Sequence, residues 1–169
     1  MRHGGKGGTI TGIDSGVPSG TVPRRKSPLR RPRNAKEYRM TEPTAVRVCR
    51  SDQLVDGGLG IKVPAQDRRG PTTVFFVRYQ GRVYGYLNRC LHMGVAIDWE
   101  GSFFTREGDL LMCARHGATF APDTGACMGG LNMKGNLSAV SVEERQEEEG
   151  GVVYWLPDER IRPAGQAAS

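Results

Sequence analysis

Two stretches, Cys90-Leu91-His92-Met93-Gly94 and Cys113-Ala114-Arg115-His116-Gly117, decide how this chain is read. Twenty residues, 93 to 112, lie between the two Cys/His pairs. The whole chain of 169 residues has only four cysteines and three histidines, and these pairs take two of each. The remaining histidine, His3, sits in a glycine-rich stretch near the start.

Each pair joins a soft thiol to an imidazole on one short loop. Zinc accepts a Cys2His2 set, but zinc loops usually supply two like ligands each, as C-x(2-4)-C followed by H-x(3-5)-H. Unlike ligands on each loop suit a 2Fe-2S centre of the Rieske type, in which two thiolates hold one iron and two imidazoles the other. A zinc module built from the same four residues stays open as an alternative.

The stretch resembles the Rieske family beyond the four side chains. Both loops carry a glycine soon after the histidine, giving C-x-H-x-G and C-x-x-H-G, and glycine there lets backbone amides turn towards the cluster sulfurs. Downstream, Ala118 to Gly125 is similar to the strand and tight turn that follow the second loop in Rieske ferredoxins. The resemblance covers residues 43–157. It implies a 2Fe-2S cluster bound by Cys90, His92, Cys113 and His116, with the thiols on the inner iron and the imidazoles on the outer, electron-accepting iron.

The segment between the loops is a few residues longer than in many family members. Asp98 to Phe104 and Asp109 to Met112 read as two extended pieces around a Thr105-Arg106-Glu107-Gly108 turn, so the extra length returns the chain beside itself. Residues 128 to 136 read as an irregular loop that covers the cluster. Leu131 stands where the family usually has proline, and Leu131 or Met133 is the expected shield. Cys127 is expected half-buried nearby, and Cys49 packed in a strand.

Charge divides the chain. Residues 1–40 hold ten Lys and Arg against two Asp and Glu, a net of +8, whereas residues 41–169 hold fourteen against sixteen, a net of −2. The basic character therefore belongs to the first segment alone, and the rest gives no support for a nucleic-acid reading. Rich in Gly, Pro, Ser and Arg, residues 1–40 are expected to form a disordered basic tail. Arg24-Arg25-Lys26 and Arg30-Arg31 are not followed by an apolar run, and no segment approaches the length of a membrane span. A soluble, cytoplasmic protein is the expectation.

Along the chain, Ala45 to Cys49 alternates as a half-buried strand, residues 51 to 58 form a polar connection, and Leu59 to Val63 is a second short strand. Gln66 to Pro71 reads as loop. Thr72 to Tyr79 and Arg82 to Leu87 flank Gln80-Gly81 as a hairpin that runs directly into Cys90. Leu137 to Val142 and Gly151 to Leu156 complete the sheets, with Glu143 to Gly150 as a solvated acidic hairpin end. Residues 158–169 read as a polar C-terminal tail. With no helical period of any length, the fold class is all-β: antiparallel sheets with a small cluster-binding subdomain carrying two ligand loops.

A cluster of this type passes single electrons, so the resemblance implies an electron-transfer protein rather than an enzyme, carrying electrons from a reductase to a terminal oxygenase or another acceptor. An oxygenase catalytic subunit needs a further two-His-one-carboxylate iron site, and only His3 is left to serve one. An accessory subunit of a redox enzyme such as nitrite reductase is a further alternative. High-potential relatives carry an extra disulfide and a serine near the cluster, where this chain has Val95, Ala114 and Ala118. Fewer hydrogen bonds to sulfur imply the low end of the Rieske range, about −150 mV.

Overall fold

The computed structural model describes residues 44–130 and 134–165. Residues 1–40, together with the expected cover residues Leu131 and Met133, lie outside the described residues.

The strands begin with β1 (Val46–Arg50), β2 (Ile61–Asp67), β3 (Gly70–Tyr79) and β4 (Arg82–Leu87). β-Branched and aromatic residues crowd β3 and β4, and the Gln80-Gly81 turn between them has positive φ at both residues, 50° and 74°. That turn matches the twist of the two strands, which pair in register from Tyr79/Arg82 back to Val74/Leu87. The hairpin was legible in the sequence. Next come three short strands, β5 (Leu111–Met112), β6 (Thr119–Phe120) and β7 (Cys127–Gly129), which pair antiparallel in that order as a small separate sheet. β8 (Ala139–Glu147), β9 (Gly150–Leu156) and β10 (Arg162–Pro163) complete a seven-stranded sheet ordered β1-β9-β8-β4-β3-β2-β10.

The tetrad Val74-Phe75-Phe76-Val77 is wholly buried because both faces of β3 are covered. Phe76 and Val74 point to one core with Ala65, Leu87, Val153 and Trp155. Phe75 and Val77, with Tyr86, point to the other core, which holds Ile97, Phe103, Phe120, Cys90 and Cys113. Phe75 stacks on Phe103 at 3.9 Å between ring centroids, 11° from parallel. Burial of each such ring contributes up to about 3 kcal/mol. The central hairpin is thus the wall on which the loop-bearing subdomain is built.

Several sequence expectations need correction. Gln66 to Pro71 is not a loop: β2 runs to Asp67 and pairs with β3 through Asp67/Gly70, leaving only Arg68 and Arg69 at the turn. A polar run with a proline reads as loop, yet Pro71 is tolerated in the strand opposite Gln66 near its end. Of the expected tail 158–169, the described residues 158–165 are not simply a tail, because Ile161 is buried and β10 pairs with the edge of β2 through Arg162/Gln66 and Pro163/Ala65. The polar connection after β1 holds a short 3-10 turn, Ser51–Gln53, and buries Leu54. β8 extends through Glu147, so the acidic run is mostly strand.

Candidate metal centre

The two candidate loops share one backbone design. In the first, the Cys90 N–H donates to the Val95 carbonyl at 2.7 Å and the Gly94 N–H to the Cys90 carbonyl at 2.8 Å. In the second, the Cys113 N–H donates to Ala118 at 2.8 Å and the Gly117 N–H to Cys113 at 2.9 Å. Both loops therefore close on their own cysteine four and five residues later. Gly94 and Gly117 make this possible at φ 67° and 70°, a conformation that residues with a Cβ rarely adopt. Within that common frame the histidine stands third in one loop and fourth in the other.

The loops bring the four side chains together as two pairs. Cys90 and Cys113 are 4% and 1% exposed, in the same apolar core. Burial raises the Cys113 thiol above the usual range, and the adjacent Cys90 thiol, hydrogen-bonded to it, raises it further; the backbone N–H groups of Arg115 and His116 act against this by pointing at the sulfur. His92 and His116 are exposed, with ring centroids 5.2 Å apart and planes at 81°.

This donor set fits a two-iron cluster. The raised Cys113 thiol gives up its proton when a cation compensates the thiolate charge, and Cys90 lies beside it in the same core. Among the described residues no three or more His, Cys, Asp or Glu side chains gather as they would around one ion. Sulfur pairs inside and nitrogen pairs outside, as two irons with two protein ligands each would require.

The stretch joining the loops is more elaborate than its sequence suggested. Phe103 and Phe104 do return beside Leu111 and Met112, with the Met112 N–H on the Phe103 carbonyl at 2.8 Å. The preceding piece is not extended, however: Trp99 and Ser102 bridge across a tight turn in which Glu100 has φ 51° and Gly101 φ 86°. The turn leaves Trp99 70% exposed beside a cavity of about 310 Å³, lined by Val95, Ala96, Asp98, Ala114 and Arg115. Cys127 is half-buried against the core that holds Cys90 and Cys113.

Asp98, whose importance no local signal in the sequence announced, anchors this turn. Burial works against its carboxylate, but hydrogen bonds from Lys62 Nζ at 2.6 Å, Asn88 Nδ2 at 2.8 Å and the Gly101 N–H at 3.2 Å outweigh it and hold its pKa below the ordinary value. A carboxyl whose pKa is lower in the folded protein adds stability above its unfolded pKa, and that stability is lost as pH falls through the folded value. Denaturant midpoints should accordingly drop on acidification below the ordinary carboxylate range, by on the order of 1–3 kcal/mol for this group. Asp98→Asn should be less stable at neutral pH and lose less on acidification; an equal acid loss in both proteins would assign the effect elsewhere.

An all-β scaffold presenting buried thiols and exposed imidazoles on twin loops defines an electron-transfer module. The sequence matches the family description Rieske [2Fe-2S] domain over residues 44–141, and the chain belongs to that family, whose domains bind a 2Fe-2S cluster. No curated protein sequence matches it. Among solved structures, it is similar to the terminal oxygenase of carbazole 1,9a-dioxygenase from Nocardioides aromaticivorans IC177, with TM-score 0.51 and 21% identity over 70% of this chain and 32% of that one. A chain of the complex of reduced oxygenase and oxidized ferredoxin in carbazole 1,9a-dioxygenase matches with TM-score 0.51 and 23% identity, over 68% of this chain and 94% of that one. A 2-oxoquinoline 8-monooxygenase component matches with TM-score 0.51 and 19% identity, over 70% of this chain and 27% of that one. These likenesses concern the fold, and the chain spans about a third of the length of the first of them. Among the described residues no helix is long and apolar enough to cross a membrane.

Proposed function

We propose that this chain is a cytoplasmic one-electron carrier of the ferredoxin kind, passing electrons from a reductase to an oxygenase or similar acceptor. In this reading Cys90 and Cys113 hold the inner iron of the 2Fe-2S cluster, and His92 and His116 the outer iron. The observation that carries it is the separation of the donors into a buried sulfur pair and an exposed nitrogen pair. The bound cluster supplies reversible one-electron reduction. The chain's own contribution is to keep water from the thiols and to present the imidazole edges at the surface. Leu91 and Met93, 40% and 61% exposed, flank His92 as an apolar rim suited to a transient protein contact.

Support for a carrier comes from the 94% coverage of one matched chain, which makes that chain nearly coextensive with this domain. The matches to oxygenase chains favour a second reading, in which these residues are the electron-receiving part of an oxygenase component. Electron transfer between separate proteins distinguishes the two. A carrier contains two irons for two acid-labile sulfides, with the spin-resonance pattern of mixed thiolate and imidazole ligation, and in catalytic amounts passes electrons from an added flavin reductase to a separate acceptor protein, whereas the electron-receiving part of an oxygenase is reduced without relaying to a separate protein. One zinc without sulfide would remove both readings in favour of the zinc module.

A further inference from the structure

Asn88 is the one polar residue fully buried among the described residues. It ends the central hairpin two positions before Cys90, at the root of the first loop. Its backbone N–H donates to the Thr73 carbonyl at 2.9 Å, which fixes it to β3. Its side chain is fully used: Nδ2 donates to Thr73 Oγ1 at 3.0 Å and to Asp98 Oδ1 at 2.8 Å, and Oδ1 accepts the Ile97 N–H at 2.9 Å.

The last of these bonds continues to the second loop. The Ile97 carbonyl accepts the N–H of Ala114, the residue after Cys113, at 2.8 Å. A short ring therefore runs from Cys90 through Arg89 to Asn88, across to Ile97, across again to Ala114, and so to Cys113. Ile97 is itself fully buried in the core that holds both cysteines. Asp98, next in the chain, is tied to Lys62 on β2, so the bridging segment is held from both sides.

We infer that Asn88 is a positioning residue that sets the gap between the two loops, and with it the spacing of Cys90 and Cys113. The inference rests on the reading that these loops hold the cluster. An amide is suited to the task because it both donates and accepts at one point. Leucine there would leave the buried Ile97 N–H without its acceptor and remove a donor from Asp98. Aspartate would keep the acceptor but set a second carboxylate against Asp98.

The test uses the full chain as isolated, with Asn88→Leu and with Asn88→Ser, which is small enough to admit water if the leucine variant does not fold. Amide exchange read by mass spectrometry should rise at least about tenfold in the segment 114 to 117, with exchange in β9 unchanged, because one bridge is lost rather than the whole fold. In the cluster-loaded protein the spin-resonance lines should broaden as the ligand pairs sample a wider range of separations. A rise of equal size in β9 and in the second loop would reduce Asn88 to a general stabiliser and overturn the inference. So would unchanged exchange in the second loop. The exchange arm does not depend on iron, so a wild-type chain isolated without a cluster would sink the proposed function while leaving the bridge to be judged on its own.

Discussion

Cys113→Ser and Cys90→Ser should each yield a folded protein without iron or sulfide, while Cys127→Ser and Cys49→Ser should keep both. The thiolate–metal bonds of a structural site are worth on the order of ten kcal/mol, and serine does not replace a thiolate on iron. Folding survives because the core around Val74, Phe76, Val153 and Trp155 contains neither candidate ligand. Cys127 is the demanding control, since it packs on the same core as the two proposed ligand cysteines. Iron and sulfide assays, paired with a thermal melt, check the result. Loss of the cluster in the Cys127 variant would give the centre a different ligand set.

Ala118→Ser should raise the reduction potential. Ala118 is fully buried beside Cys90 and Cys113, so a hydroxyl on its Cβ meets no water and must find its partner inside the site. A donor aimed at a cluster sulfur favours the more electron-rich reduced state. For a one-electron couple each 1.4 kcal/mol of such preference corresponds to about 60 mV, and hydrogen bonds to charged groups reach that size. The wild-type potential should be flat through neutral pH. Potentiometric titration from mildly acidic to strongly alkaline solution reads both effects. An unchanged potential with an intact cluster would show the hydroxyl bonded elsewhere, and a wild-type potential already falling steeply through pH 7 would remove the low-potential assignment.

The family and its cluster type were the most legible part of this chain, because they depend on residue type and on spacing within each loop. The matched interval from each cysteine to its glycine even carried the common closure of the two turns. The β3-β4 hairpin was equally plain, since Gln80-Gly81 sits between strongly β-forming runs. What escaped notice depended on distant partners. Asn88 draws its meaning from Thr73, Ile97 and Asp98, none of which neighbours it in sequence. β10 is a strand only because β2 offers an open edge, and Arg162-Pro163 has no strand character of its own. The Trp99 turn hid within a run that looks extended, because only the pairing of Trp99 with Ser102 bends it.

The twin loops are closed by their own main-chain hydrogen bonds. Their consequence lies in electron-transfer kinetics. In the proposed carrier, a frame held by these bonds would move little when an electron arrives or leaves, which keeps the inner-sphere reorganisation energy small. The rate of transfer would then follow how closely an acceptor approaches the proposed imidazole edges and the difference in driving force, and residues far from the loops would act chiefly through docking.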